Sequence, residues 1–174
     1  VIDMDGKYYG MISRRSLLNL KKKEVIMVDH NEKSQAVEGI EEADVLEIID
    51  HHKIAAIETV NPVYFRNQPL GCTATIITQM YDENGVEITK EIAGLLCAAI
   101  LSDTLIFRSP TCTELDKKTA YRLAEIAGID VEKFGTDMFS AGSDLKNKTV
   151  EEIFYQDFKK FASDGVGFGV GQIN

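Results

Sequence analysis

Apolar and polar positions alternate in two different rhythms along this chain. Near its start come two short, nearly continuous apolar runs, residues 25–28 (Val, Ile, Met, Val) and 45–49 (Val, Leu, Glu, Ile, Ile), each running into an aspartate, Asp29 and Asp50. Runs of that length and continuity predict strands of a parallel sheet covered on both faces, whose carboxyl ends are where ligands gather. Residues 33–42 between them predict a short crossover helix. Tyr64, Phe65 and Arg66 predict an edge strand, and Gln68-Pro69-Leu70-Gly71 a turn.

From Thr73 the period becomes helical. Ile76, Ile77, Met80 and Tyr81 share one face of a helix over 73–83 that Asn84-Gly85 closes. Thr89 predicts the N-cap of a helix carrying Ile92, Leu95, Leu96, Ala99 and Ile100 toward Asp103; being apolar nearly all round, it is expected to be buried. Ser109-Pro110-Thr111 breaks the pattern. Thr113 predicts the cap of a helix ending at Gly128, and Asp130 the cap of one reaching Gly142. Thr149 with Glu152 reads as a capping box opening a connector helix with Ile153, Phe154, Phe158 and Phe161 on one face. The glycine-rich tail from Asp164 reads as the first strand or turn of a further domain. The continuous apolar strands, together with these helices, predict an α/β chain, a mainly parallel sheet flanked by helices.

Composition narrows the function. The chain has 174 residues, 44% of them apolar, with three prolines and no apolar run long enough to span a bilayer, which predicts a folded protein without a membrane partner. A net charge of −9 argues against a nucleic-acid partner, since such a surface repels phosphate backbones. Three cysteines without C-x-x-C spacing give no disulfide framework or thiolate zinc site, and a reducing, cytoplasmic setting fits them. Cys97 lies in an apolar run and is expected in the core. The first residues lack an initiator Met and a signal-peptide pattern, so the chain is expected to be an internal piece of a longer protein.

The candidate chemistry sits where the strands end. All three histidines (His30, His51, His52) lie beside Asp29 or Asp50, and a third acidic cluster, Ser102-Asp103-Thr104, ends an apolar helix. Carboxylate and imidazole together suit Mn²⁺, Fe²⁺, Co²⁺ or Zn²⁺. A carboxylate at a helix C-terminus, as Asp103 would be, opposes the helix dipole unless a cation or donor offsets it.

Four strings in order carry a resemblance: Val28-Asp29-His30-Asn31-Glu32, Ile49-Asp50-His51-His52, Gly71-Cys72-Thr73-Ala74-Thr75, and the run from Ser102 through Asp103-Thr104-Leu105-Ile106-Phe107 to Arg108-Ser109-Pro110-Thr111. They resemble family II inorganic pyrophosphatases, the manganese- or cobalt-dependent members of the DHH phosphoesterase superfamily. The resemblance implies pyrophosphate as substrate and Mn²⁺ or Co²⁺ as cofactor, with Mg²⁺ admissible in the active site. It implies that Asp29 bridges two metal ions, that His51 and Asp103 ligate the second ion, and that His52 contacts the substrate phosphate. Asp50 is expected to orient His51, with His30 also supporting the ligands from behind. Lys159 falls where the family carries a phosphate-binding lysine on the interdomain helix. Two ions sharing a water would lower its pKa and aim the hydroxide at phosphorus.

Two parts of the family pattern have no counterpart here: the His-x-x-x-Asp-x-Asp motif that supplies the remaining ligands, and the C-terminal Arg-Lys clamp. Residues 1–22 resemble the end of a cystathionine-β-synthase-type (CBS) domain, a module that binds adenine nucleotides, although Ser16 stands where an Asp commonly holds the ribose. The expected division is therefore a CBS remnant over 1–22, part of a DHH domain over 23–146, and an interdomain helix with the start of a C-terminal domain over 147–174. A homodimer is implied by the resemblance, and the piece alone is expected to turn over little or no substrate. Two other readings stay open: a DHH phosphodiesterase acting on oligonucleotides or cyclic dinucleotides, and a nucleotide-sensing regulatory protein.

Overall fold

A computed structural model of the chain describes residues 1–18, 21–55, 58–142, 148–156, 158–163 and 166–171. It divides into two compact units, Val1–Pro69 and Leu70–Asn174. The first is built on a parallel sheet of β1 (Glu24–Val28), β2 (Asp44–Asp50) and β3 (Tyr64–Asn67), in that spatial order. Val28 lies opposite Ile49, and Asp50 opposite Asn67, so all three carboxyl ends reach the same edge. β2 is central, and its last three residues, Ile48, Ile49 and Asp50, are buried.

Two expectations change in this unit. Ile26 and Val28 are 54% and 43% exposed, so β1 is not covered on both faces within the described residues. The stretch 33–42 is not a helix; it forms two single 3₁₀ turns, Lys33–Gln35 and Ile40–Glu42. Ala36 is extended and Gly39 takes a left-handed φ of 86°, which interrupts a segment already too short to nucleate a helix. Before the sheet, Ile2 bridges Tyr8 around a turn at Gly6, and a short helix α1 (Arg14–Leu18) begins where Ser13 Oγ accepts the Ser16 N–H. Asn19 and Leu20, near the end of the CBS-like stretch, lie outside the described residues, as does the expected domain boundary at 146/147.

The second unit is mainly helical: α2 (Thr73–Glu83), α3 (Lys90–Asp103), α4 (Glu114–Ala127), α5 (Val131–Gly142) and α6 (Val150–Tyr155). The predicted caps are the observed ones. Thr89 accepts from Ile92 N, Thr113 and Asp116 form a capping box, and Asp130 accepts from Lys133 N at 2.7 Å. Gly128 ends α4 at φ 69°, a conformation other residues reach only with strain. Cys97, Ile100 and Leu101 of α3 pack with Ala120, Leu123 and Ala124 of α4. Burial pushes the Cys97 thiol up to about 11, as a core cysteine requires. α3 is nevertheless not buried all round, because Leu95 is 68% exposed.

The C-terminal part corrects the connector helix. The Thr149–Glu152 capping box opens α6 as expected, but the helix ends at Tyr155, and an antiparallel hairpin follows, β4 (Phe158–Ser163) with β5 (Val166–Gly171). Phe158, Lys159 and Phe161 are therefore strand residues. β5 alternates glycine with Val166, Phe168 and Val170, a period of two that needs a partner strand. β4 supplies it: Phe161 stacks on Phe168 with ring centroids 5.6 Å apart, and the Phe158 ring covers the space beside Gly169.

One buried carboxylate ties the helices of this unit to the turn that precedes them. Asp116 accepts from Gly71 N (2.8 Å), Thr75 Oγ1 (2.6 Å), Thr113 N (2.8 Å) and Thr113 Oγ1 (2.6 Å). Gly71 has to be glycine here, since a Cβ would lie 2.9 Å from Asp116 Oδ2 and from Thr104 Cγ2. Burial alone raises the Asp116 pKa, but the bonds from Thr113, Thr75 and Gly71 outweigh it and hold it below the ordinary value. A group with a depressed folded pKa contributes stability above its unfolded pKa, about 3.9, and loses it as pH falls through the folded value. Asp116→Asn is expected to cost about 2–3 kcal/mol at pH 7, because its amide nitrogen faces donors. Urea unfolding between pH 7 and pH 2 should show a shallower acid loss in the variant than in the parent.

Candidate metal centre

The loop after β1 begins with an unusual residue. Asp29 donates its N–H to Ile49 O (2.9 Å), prolonging the ladder by one step, and then takes φ 67°. Aspartate tolerates the left-handed region better than most side chains because it is short and polar. The turn sends its carboxylate toward β2, where Asp29 Oδ1 lies 3.5 Å from His51 Nε2. The Asp29 side chain is 53% exposed, whereas that of His51 is only 13% exposed.

Beneath this pair lies Asp50, which has no solvent exposure. Its Oδ1 accepts the backbone N–H groups of His51 (2.8 Å) and His52 (3.2 Å) and the Nδ1–H of His52 (2.8 Å). Its Oδ2 accepts from Asn31 Nδ2. Burial raises the Asp50 pKa, but these bonds, those from His52 and Asn31 foremost, reverse it and hold the carboxyl below its ordinary value. A carboxylate only accepts, so the His52 proton sits on Nδ1 and the neutral ring offers Nε2 as its basic nitrogen. The two histidine rings stand 4.2 Å apart at 60°.

Asp29, His51 and His52 together present ligand-type atoms all within 4.8 Å of one another. The donor set, one carboxylate and two imidazoles, suits a borderline divalent ion such as Mn²⁺ or Co²⁺. The 3.5 Å between Asp29 Oδ1 and His51 Nε2 is long for a hydrogen bond. It is a spacing two ligands of one ion adopt when each bond is about 2.0–2.2 Å.

The remaining expected residues fall as follows. Asp50 supports the site, but the imidazole it bonds is that of His52; from His51 it takes the backbone amide. His30 Nδ1 bonds back to Val28 O at 3.0 Å, within its own turn. Asp103 is the exposed last residue of α3, in the second unit, and Thr104 separates it from three residues with left-handed φ, Leu105, Ile106 and Phe107. Lys159 lies in the second unit on β4, opposite Val170, rather than on a helix. Asn31 carries no expectation from sequence, although it stands inside the Asp29 cluster; the only signal was its place two residues after a strand-terminal aspartate.

The model of the DHH family, N-terminal domain, matches residues 4–100, and that of the DHHA2 domain matches residues 136–174. A cobalt-dependent inorganic pyrophosphatase of Clostridium perfringens is 56% identical over 174 residues, all of this chain and 32% of that protein. A manganese-dependent inorganic pyrophosphatase of Methanothrix thermoacetophila is 58% identical over 151 residues, 87% of this chain and 49% of that protein. A crystal structure described as that of a candidate family II inorganic pyrophosphatase from Methanococcus jannaschii superposes with TM-score 0.73 at 43% identity, covering 88% of this chain and 53% of that one. The chain thus spans about half or less of the length of these relatives.

The backbone of Asp29 separates two roles of its side chain. Asp29→Asn keeps a residue that accepts a positive φ, whereas Asp29→Ala removes the carboxylate and adds left-handed strain of about 1–2 kcal/mol. Denaturant unfolding should find Asp29→Ala the less stable of the two by roughly that margin. Equal stability would mean that the turn at Asp29 relaxes without cost.

Proposed function

Because this chain belongs to the DHH family, we propose that it forms the core of a metal-dependent inorganic pyrophosphatase, the longer protein hydrolysing pyrophosphate to two phosphates. The observation that carries this reading is the convergence of Asp29, His51 and His52 beyond the carboxyl ends of β1 and β2. Phosphoanhydride hydrolysis needs dense positive charge around a small, highly charged substrate, and a carboxylate–imidazole cage supplies it by holding cations.

In this reading Asp29 and His51 hold Mn²⁺ or Co²⁺, with Asp103 as a third ligand and Mg²⁺ admissible as a further ion. Bound ions of this kind lower the pKa of a water nucleophile and neutralise charge on the phosphates. The chain's own residues do the positioning. Asp29 would offer its carboxylate to a metal from a left-handed turn. His52, its tautomer set by Asp50, presents Nε2 to a phosphate oxygen, donating there when the ring is protonated. Lys159 meets charge growing on the leaving phosphate. Asp50 keeps its negative charge buried and orients the His52 ring through its Nδ1–H.

Residues 1–22 resemble the end of a CBS module, so adenine nucleotides are proposed as regulators of the longer protein, which in this reading acts in the cytoplasm as a homodimer. Among the described residues no helix is long and apolar enough to cross a membrane. The 174-residue piece by itself is expected to bind metal weakly and to turn over little substrate, as it carries three of the proposed ligands.

Phosphate release by the longer protein, stripped of metal and reloaded with Mn²⁺, tests the proposal. Release from pyrophosphate should far exceed that from a dinucleotide, and should fall at least about 100-fold in Asp29→Asn and His51→Gln. A preference for the dinucleotide would instead favour a phosphodiesterase, and metal content unchanged in both variants would end the catalytic reading.

A further inference from the structure

Asn31 is 1% exposed, and its carboxamide is used on both sides. Nδ2 donates to Asp50 Oδ2 and to the Lys53 carbonyl (3.1 Å), while Oδ1 accepts the Ala55 N–H (2.7 Å). One side chain from the turn after β1 thereby grips the end of β2 at Asp50 and the loop beyond it at Lys53 and Ala55. That loop carries His51 and His52, and the turn carries Asp29, so Asn31 spans the two halves of the cluster.

The division of labour on Asp50 gives this bridge its consequence. Oδ1 serves the amides of His51 and His52 and the His52 ring, while Oδ2 faces Asn31. The terminal torsion of an aspartate is broad and settles according to its partners. Holding Oδ2 therefore fixes the direction in which Oδ1 receives the imidazole. The bonds to Lys53 O and Ala55 N fix the path of the loop itself. We infer that Asn31 is a positioning residue for the metal centre: through Asp50 and the 53–55 backbone it sets the spacing between the Asp29 carboxylate and the nitrogens of His51 and His52. Its carboxamide bonds protein groups on both sides. The inference rests on the metal-binding reading proposed above and goes beyond it by assigning the geometry to a neutral, buried side chain.

The sharpest variant is Asn31→Asp, nearly equal in size, which turns the donor facing Asp50 Oδ2 and Lys53 O into an acceptor. In the full-length protein Mn²⁺ affinity, measured by electron paramagnetic resonance, is expected to fall by about 10–100-fold. The visible absorption of bound Co²⁺ should change shape, which a general loss of stability would not produce in the folded fraction. Asn31→Ser keeps one small donor and is expected to lose less; it becomes the deciding variant if Asn31→Asp does not fold. A folded Asn31 variant with parental Mn²⁺ affinity and an unchanged Co²⁺ spectrum overturns the role of Asn31. Asp29→Asn, run alongside, separates the two failures: parental affinity there overturns the metal centre itself, and the assignment of Asn31 with it.

Discussion

A carboxylate shut away from water must be met by donors or give up its charge, and Asp50 is where this chain meets that requirement. Four hydrogen bonds converge on it, from two backbone amides, one imidazole and one carboxamide. Each donor belongs to a residue of the candidate centre or next to it. Because Asp50 ends the central strand, the same few residues also join the neighbouring strands: Gln68 N donates to Asp50 O, and Asn67 Nδ2 to His52 O. Satisfying one buried charge and assembling the ligands are therefore a single structural event.

The second unit meets the same requirement at Asp116, with hydroxyls and amides as donors and no metal chemistry nearby in sequence. The comparison is instructive. Both carboxylates are buried, fully bonded and held below their ordinary pKa, so a depressed pKa alone does not mark a functional site. What distinguishes Asp50 is that one of its donors is an imidazole whose other nitrogen remains available to a ligand. In the second unit, the chain leaves α3 through three successive left-handed residues, at φ 51°, 52° and 64°. Such a turn costs about 1–2 kcal/mol per residue. It is offset by Ile106 N bonding Leu101 O and by the Ile106 side chain seated against Gly135, where a Cβ would lie 3.0 Å away.

Much of the fold was legible because its signals are local. Thr89, Thr113, Asp130 and Thr149 cap the helices they were expected to cap, since a cap is a bond between residues three apart. The expectation failed where a remote partner decided the outcome. Phe158 and Phe161 fit a helical stripe with Ile153 and Phe154, yet Phe161 stacks on Phe168, a residue on the opposing strand. The crossover over 33–42 failed for a smaller reason, a left-handed Gly39 within a stretch too short to nucleate a helix.

The candidate site divides along the same line. Sequence alone determined which side chains could do the chemistry and that two aspartates follow strands of one parallel sheet, because residue type and strand continuity need no third dimension. Tertiary structure alone decided that Asp29 turns through a positive φ toward His51 and that Asn31 joins the two loops. Those outcomes depend on hydrogen-bond partners 19 to 24 residues apart, brought together by parallel pairing. No local pattern encodes a contact whose other half is supplied by a neighbouring strand.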